Sequence, residues 1–239
     1  MGRKSAKIAA RKGAQDRAKS QIYTRALADV FLASKSGGAD PDTNFLLKVA
    51  IDRCKKFNVP KDNIEKAIKK GQGGDGVGYE DVNYEGYGPN GIAVFVEAST
   101  NNVTRTVANV RNYFNKCGGS LGVTGSLEFV FERKAIFIIQ KDQIEDEDDF
   151  TLNMIDAGAE DVEPDEDIIE VSGPMESFGS IQEKLQEINV TPEEASLQRI
   201  PLNHKEADEE TAKQIDKLIG LLEDDEDVVT VYHNMVEPE

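Results

Sequence analysis

The sequence predicts an α+β protein in which an N-terminal helical domain is followed by two ferredoxin-like α/β domains, one inserted in the other. Apolar residues recur at helical spacing before residue 71 and at strand spacing from residue 77 onward. The charge changes at the same place: residues 1–71 carry 17 basic and 7 acidic side chains, and residues 72–239 carry 11 and 38. The predicted domains are residues 1–75, residues 76–134 with 202–239, and residues 135–201.

Three short amphipathic helices are predicted in the first domain. The first covers residues 14–33, where small and apolar residues recur every four positions at Ala14, Ala18, Ile22, Ala26 and Val30. The glycine pair Gly37-Gly38 ends this helix. The dipeptide Asp40-Pro41 predicts the start of the second helix, with Asp as the cap and Pro as the first helical residue. The third helix begins at Pro60 and ends before Gly71.

The middle of the chain predicts a β-hairpin, a helix and a further strand. The hairpin strands cover residues 77–87 and 92–98 around a Gly-Pro-Asn-Gly turn. Residues 103–116 have helical spacing and are followed by Gly118-Gly119. Residues 126–133 alternate in polarity, which predicts a strand with Leu127, Phe129 and Phe131 on one face.

Residues 135–201 predict a self-contained β-α-β-β-α-β series, which is the ferredoxin-like order. Its strands are residues 135–140, 160–163, 167–172 and 195–200, and its helices are residues 146–157 and 175–188. A helix at 208–222 and a strand at 227–234 follow. These last two elements are what the middle series needs to complete the same motif, so residues 135–201 are interpreted as an inserted domain.

Composition and cysteine usage favour a cytoplasmic protein. Cys54 and Cys117 fall in different predicted domains, which argues against a disulfide framework and favours a reducing compartment. No apolar run approaches the roughly 18 residues that a membrane helix needs. The basic N-terminus lacks the apolar segment of a secretory signal. We therefore expect a cytoplasmic location and no membrane partner.

The sequence offers no motif for catalysis or cofactor binding. His204 and His233 lie outside any nucleophile pattern, and no Cys/His spacing suits a metal. Gly71-x-Gly73-x-x-Gly76 matches the dinucleotide fingerprint in its letters but follows a helix, so it is interpreted as a flexible link. We expect no enzymatic activity, no cofactor, no metal and no small-molecule substrate. Residues 142–170 hold fourteen carboxylates and no base, and are interpreted as a solvated surface or as a face that repels nucleic acid.

The N-terminal end has the composition of a nucleic-acid-binding segment. Residues 1–25 hold one acid, Asp16, and eight basic residues, which are Arg3, Lys4, Lys7, Arg11, Lys12, Arg17, Lys19 and Arg25. Cations at this density displace the counterions that are condensed on a phosphate backbone. Lys55 and Lys56 extend the basic surface onto the second helix. Two alternatives stay open, a solvated helix face and an arm attracted to the protein's own acidic domains.

Five stretches of the chain together resemble the YebC/PmpR family over essentially its full length. They are residues 58–71, 84–91, 105–119, 157–162 and 222–232. The resemblance implies three domains and a cytoplasmic, non-enzymatic factor that acts on gene expression. Some members are described as DNA-binding transcriptional regulators and others as ribosome-associated translation factors. The resemblance therefore implies DNA as the partner or, alternatively, the ribosome and its RNA.

The resemblance also adds two secondary candidates and one departure. Arg105 and Arg111 match the family's helix motif and are candidates for nucleic-acid contact, although Arg111 equally fits an ion pair with an acid of its own domain. The usual opening of the family is Gly-His-Ser-Lys-Trp. Here residues 2–7 read Gly-Arg-Lys-Ser-Ala-Lys and the chain contains no Trp, which indicates a divergent branch.

Overall fold

A computed structural model describes residues 23–24, 26–73 and 79–236 of the chain. Helical residues 23–24 and 26–37 form α1. The other helices are α2 (Phe45–Lys56), α3 (Lys61–Gly71), α4 (Val103–Lys116), α5 (Glu147–Asp156), α6 (Phe178–Glu187) and α7 (Glu209–Glu223). The strands are β1 (Glu80–Tyr87), β2 (Ala93–Thr100), β3 (Ser120–Leu121), β4 (Phe131–Gln140), β5 (Asp161–Pro164), β6 (Ile168–Pro174), β7 (Glu194–Pro201), β8 (Lys205–Glu206), β9 (Val228–His233) and β10 (Met235–Val236). The predicted fold class is confirmed, since helices form the N-terminal region and two four-stranded sheets dominate the rest.

The three N-terminal helices enclose one apolar core. Its buried side chains include Ala26, Val30, Leu47, Cys54 and Ile64, which come from all three helices. The helical spacing that predicted α1 and α2 therefore corresponds to the face that each helix buries. The first helix ends where Gly38 adopts a φ of 90°, in the left-handed region that favours glycine.

The cap of α2 differs from the prediction. Asn44, not Asp40, caps the helix, because its side-chain oxygen accepts a hydrogen bond from the Leu47 amide at 3.1 Å. The side-chain nitrogen of Asn44 donates to the carbonyls of Ala33 and Gly38 at 2.8 and 2.9 Å. An asparagine both donates and accepts, whereas an ionised aspartate only accepts. This one buried side chain thus joins the end of α1 to the start of α2.

The first sheet has the strand order β3-β1-β2-β9, and all neighbours are antiparallel. The predicted hairpin is present as β1 and β2. The helices α4 and α7 cover one face of this sheet, where Val94, Val96, Phe114, Ile215 and Leu218 are buried. The chain leaves the sheet after β3 and returns to it with α7 and β9.

The strand predicted for residues 126–133 is wrong for residues 126–130 and correct only for residues 131–133. Residues 124–130 form turns, and β4 begins at Phe131 and pairs with β7 in the second sheet. Leu127 is buried, whereas Phe129 is 86% exposed, so these alternating residues do not share a face. The physical reason is a carboxylate: the amides of Gly125 and Leu127 donate to the side chain of Glu85.

The first sheet has the same spatial order of strands as a ferredoxin-like sheet, but its strands follow one another along the chain in a different sequence. In that motif the third strand lies between the first and second strands. Here β2, β3 and β9 take the places of the first, second and fourth strands, and β1 takes the place of the third. The strand β1, which precedes the rest of the motif in the chain, therefore takes the place of the third strand. The spacing of apolar residues alone did not predict this pairing.

The second sheet has the order β5-β6-β4-β7, again with antiparallel neighbours. This is the order that the predicted β-α-β-β-α-β series requires. The helices α5 and α6 pack on one face, where Phe137, Ile139, Phe150, Met154 and Ile181 are buried.

Candidate nucleic-acid interface

The predicted contact residues divide into two groups. Eight lie outside the described part of the chain, namely Arg3, Lys4, Lys7, Arg11, Lys12, Arg17, Lys19 and Arg25. The other four are described: Lys55 and Lys56 end α2, and Arg105 and Arg111 lie in α4. The structure thus places the described candidates on two separate helices and does not bring them into one site.

Exposed lysines run from α2 along α3. Lys55 pairs with Asp52 on the preceding turn at 2.8 Å, and both side chains are largely exposed. An ion pair of this kind contributes little to stability. Lys48 and Lys66 are exposed and have no ion-pair partner among the described residues. These three lysines are available to a polyanion at small cost to the fold.

Arg53 lies on the same helix but is held by two carboxylates. Its Nη1 donates to Asp29 of α1 at 2.6 Å, and its Nη2 pairs with Glu194 of β7 at 2.8 Å. Burial raises the pKa of Asp29 to about 7, against the opposing effect of the Arg53 charge. The guanidinium therefore links the helical region to the second sheet.

Three more cations of the helical region reach the sheets. They are Lys35 with Asp81 of β1, Lys56 with Glu193 just before β7, and Lys70 with the backbone carbonyl of Glu226. These three lysines are therefore engaged by the protein's own acidic part, whereas the alternative in which the N-terminal arm is attracted to the acidic domains falls on residues outside the described ranges. A phosphate contact by Lys56 requires that lysine to leave Glu193.

A cleft of about 910 Å³ lies between the helical region and the turn after α7. Lys66 and Lys70 line one side, and Asp225 and Asp227 line another together with Arg105. Carboxylates at this density repel phosphate. The positive charge inside the cleft is thus offset within the protein, and the outer faces of α2 and α3 are the more open surface for a polyanion.

Arg105 is engaged within its own part of the fold. Its Nη2 donates to both oxygens of Asp227 at 2.8 and 2.9 Å, and Thr106 Oγ1 donates to the same carboxylate at 2.7 Å. Burial raises the pKa of Asp227, but the hydrogen bonds from Thr106 and Arg105 outweigh burial and hold that pKa below its usual value. The arrangement indicates a structural task for Arg105, although half of its side chain is exposed.

The neighbouring Asp225 binds the next turns of α4. Its Oδ2 accepts from Asn109 Nδ2 at 3.1 Å and from the Tyr113 hydroxyl at 3.0 Å. Two of the stretches that carry the family resemblance, residues 105–119 and 222–232, therefore meet in space. The available signal in the sequence was complementarity, since one stretch is rich in acids and the other has bases and amides but no acid.

Arg111 lies on the outer side of α4. It is exposed and has no ion-pair partner within the part of the chain that the structure describes, as is also the case for Lys116. The alternative in which Arg111 pairs with an acid of its own domain is therefore not observed. No acidic residue occurs between Glu97 and Glu128, so this helix carries positive charge within an otherwise acidic half of the chain.

The described residues offer little for metal or thiol chemistry. Among them, no group of three His, Cys, Asp or Glu side chains is placed to hold a metal ion. Cys54 and Cys117 are buried free thiols, and burial raises the pKa of both, that of Cys54 to about 11. A protonated, buried thiol is a poor nucleophile. Within the same ranges, every helix is too short or too polar to cross a lipid bilayer.

Two family models match almost the whole chain. The model described as the TACO1/YebC protein N-terminal domain matches residues 3–74. The model described as the TACO1/YebC second and third domain matches residues 79–235. The junction between the two matches lies within four residues of the predicted end of the helical domain at residue 75.

Relatives and a solved structure agree with these models. A probable transcriptional regulatory protein of Porphyromonas gingivalis is 46% identical over 219 residues, which cover 92% of this chain and 90% of the relative. One from Syntrophotalea carbinolica, with the same description, is 44% identical over 232 residues, or 97% and 93% of the two chains. The crystal structure of the conserved hypothetical protein Aq1575 from Aquifex aeolicus matches 93% of this chain and 91% of its own, with 37% identity and a TM-score of 0.69. The chain therefore belongs to the TACO1/YebC family.

Proposed function

We propose that the protein is a non-enzymatic regulator of gene expression that binds DNA through its basic N-terminal helices. The observation that carries this proposal is the polarity of charge: residues 1–71 have ten more basic than acidic side chains, and the rest has 27 more acidic than basic. The names of the relatives, probable transcriptional regulatory proteins, support the same role.

The contact takes the form of phosphate binding by a dense set of cations. The arm of residues 1–25 supplies eight basic groups, and the exposed Lys48, Lys55 and Lys66 continue the surface. Each phosphate that these cations neutralise releases a condensed counterion, which favours binding. The two sheets carry net negative charge, which a phosphate backbone repels. This repulsion orients the molecule with its helical end on the nucleic acid.

A mobility-shift titration over a range of salt concentrations tests this proposal. If six to eight cations meet phosphates, log affinity falls against log salt with a slope of about −5 to −7. Reversing Arg11, Lys12 and Lys19 to Glu is expected to abolish binding and to leave Tm within a few degrees.

The matched control replaces three lysines of the acidic residues 72–239 with Glu, namely Lys141, Lys213 and Lys217. Its affinity is expected to stay within a few-fold of wild type. A slope near zero, or loss of binding in the control alone, would show that the arm is not the contact. Equal affinity for a promoter fragment and a random duplex would remove sequence specificity from the proposal.

A second candidate is a translation factor that binds ribosomal RNA. The observation that favours it is the chemistry of the described basic surface: residues 26–73 hold eight lysines and one arginine, and that arginine, Arg53, is paired. Lysine contacts phosphate as a point charge, whereas base reading in the major groove relies on bidentate side chains such as arginine. Sedimentation of lysate through a sucrose gradient tests this candidate, and absence of the protein from every ribosomal fraction would refute it.

The domain division and location belong to the same proposal. We place the domains at residues 1–75, 76–130 with 202–239, and 131–201, which moves one boundary from 134 to the residue before β4 begins. A fragment of residues 131–201 is expected to fold alone with the circular dichroism of a mixed helix and sheet protein. Fractionation of cells is expected to recover the full chain in the cytoplasm.

A further inference from the structure

The helical region of residues 26–73 is joined to the sheets by a small apolar contact. The buried members of the cluster that joins them are Ala28, Phe31 and Val229, and Val229 is the one side chain of this cluster that a strand supplies among the described residues. The helical region and the two sheets each have a separate apolar core. Neither part therefore depends on this contact to bury its core, and a small interface of this kind allows linked domains to move relative to one another.

Two open clefts separate the helical region from the sheets beside this contact. A cleft of about 640 Å³ lies between α2 and the segments at residues 140–143 and 191–193. The cleft of about 910 Å³ lies between α1, α3 and the turn after α7. Permanent protein interiors are closely packed. The interface between the helical region and the sheets is therefore interrupted at two places.

Polar links to the sheets hold three lysines of the helical region. They are Lys35 with Asp81, Lys56 with Glu193, and Lys70 with the backbone carbonyl of Glu226. We call Lys35, Lys56 and Lys70 the sheet-facing lysines. The side chains of Lys35 and Lys56 are 39% and 61% exposed, so water and salt weaken their ion pairs.

Arg53 supplies a fourth link, which can open without leaving a buried charge unpaired. When its Nη2 leaves Glu194, its Nη1 keeps Asp29, which lies on α1 within the helical region. Glu194 keeps the Ser196 hydroxyl at 3.2 Å and Gln198 Nε2 at 3.0 Å as donors. An unpaired buried charge is the main cost of breaking such a pair. That cost is avoided on both sides of this link.

We propose that binding of a nucleic acid separates the helical region from the sheets, and that the sheet-facing lysines then contact phosphates. In the docked state the protein's own oxygens occupy these lysines, so the acidic part inhibits a share of the basic surface. A ligand shifts such an equilibrium only through contacts that it makes in one state and not in the other. The sheet-facing lysines provide those contacts. The inference rests on the proposed function for its nucleic-acid partner.

A short chemical crosslink tests whether separation is required. The double variant Lys56→Cys/Glu193→Cys places two thiols where an ion pair now joins the side chains, and the two native cysteines are buried. A bismaleimide that joins the new thiols keeps the helical region docked. The control is the same variant with both thiols capped by N-ethylmaleimide. We expect the crosslinked protein to bind a DNA duplex roughly 2- to 30-fold more weakly than the control, because Lys35 and Lys70 stay occupied.

Removal of the carboxylates that hold the helical region is expected to have the opposite effect. The variant Asp81→Asn/Glu193→Gln/Glu194→Gln retains every lysine, and we expect it to bind the duplex roughly 3- to 150-fold more tightly than wild type, since three links no longer oppose separation. The matched control, Glu145→Gln/Asp148→Asn/Glu166→Gln, changes the net charge equally at exposed acids of residues 142–170. We expect a smaller gain in affinity from this control.

The proposal requires both a loss of affinity on crosslinking and a larger gain in the first carboxylate variant than in its control. Equal affinity of the crosslinked and capped proteins would overturn it. Equal gains in the two carboxylate variants would also overturn it, because they would report net charge alone. If wild type binds the duplex and either result is missing, the separation is refuted and the proposed function stands. If wild type does not bind the duplex, both are refuted.

Discussion

Replacing Asp227 with alanine removes the carboxylate that joins α4 to the turn after α7. This buried side chain accepts from the Thr106 hydroxyl at 2.7 Å and from the Arg105 guanidinium. Thr106 keeps Thr100 and the Asn102 carbonyl as partners, so no hydroxyl is left unpaired. The main loss is one buried, charge-assisted hydrogen bond, worth about 1.5–3 kcal/mol of unfolding free energy. The Arg105 side chain is half exposed and is solvated by water in the variant, so its contribution to the loss of unfolding free energy is small.

For a chain of this length the loss corresponds to a fall in Tm of roughly 3–12 °C, measured by circular dichroism at neutral pH. Glu226→Ala is the matched control on the same turn, because Glu226 is exposed and contacts Lys70 through a backbone carbonyl that alanine retains. We expect the control to stay within about 0.5 kcal/mol of wild type. Equal Tm values for the two variants would refute the view that Asp227 holds these segments together.

Two further predictions concern a buried acid and a close backbone approach. The pKa of Asp29 is raised from 3.8 to about 7 in the folded protein, so this group contributes stability at low pH that is lost as pH rises from about 4 to about 7. Asp29→Asn should flatten that part of the stability profile in urea titrations, and an unchanged slope would contradict the assignment. Gly86→Ala places a Cβ 2.6 Å from a ring carbon of Phe114, and we expect a cost of about 1–3 kcal/mol. The comparison is Gly179→Ala in α6, where a Cβ meets no atom within 4 Å and helix propensity favours alanine by up to about 1 kcal/mol; equal denaturant midpoints for the two variants would argue against the packing described.

The spacing of apolar residues along the sequence correctly predicted the helices and strands that depend only on neighbouring residues. Helical spacing and the glycines at 37–38 place α1, and the strand and helix series of the second sheet follows from alternation and length. The strand predicted at 126–133 failed because Leu127 is buried by a loop and not by a strand. That loop depends on Glu85, which lies forty residues earlier in the chain. The same kind of long-range bond made Asn44 the cap of α2.

The candidate interface was predictable as a charge and not as a set of contacts. Counting residues located the positive region at the N-terminus. Counting does not reveal that Arg105 meets Asp227, or that Lys56 meets Glu193, because these partners are 122 and 137 residues apart. Such pairs depend on how the sheets and helices pack together. Conversely, the lack of an ion-pair partner for Arg111 among the described residues agrees with the absence of acids between Glu97 and Glu128.

Within the protein, acidic groups compete with a nucleic acid for four cations of the helical region. These cations are Lys35, Arg53, Lys56 and Lys70. A phosphate that recruits Lys56 displaces Glu193, and the freed carboxylate then gathers mobile cations of its own. The counterions released from the nucleic acid are partly recaptured by the protein, so such an exchange adds little to the salt dependence. A measured salt slope would therefore report on the cations of the arm. The linked lysines would instead determine how strongly the helical region remains bound to the sheets while the arm binds nucleic acid.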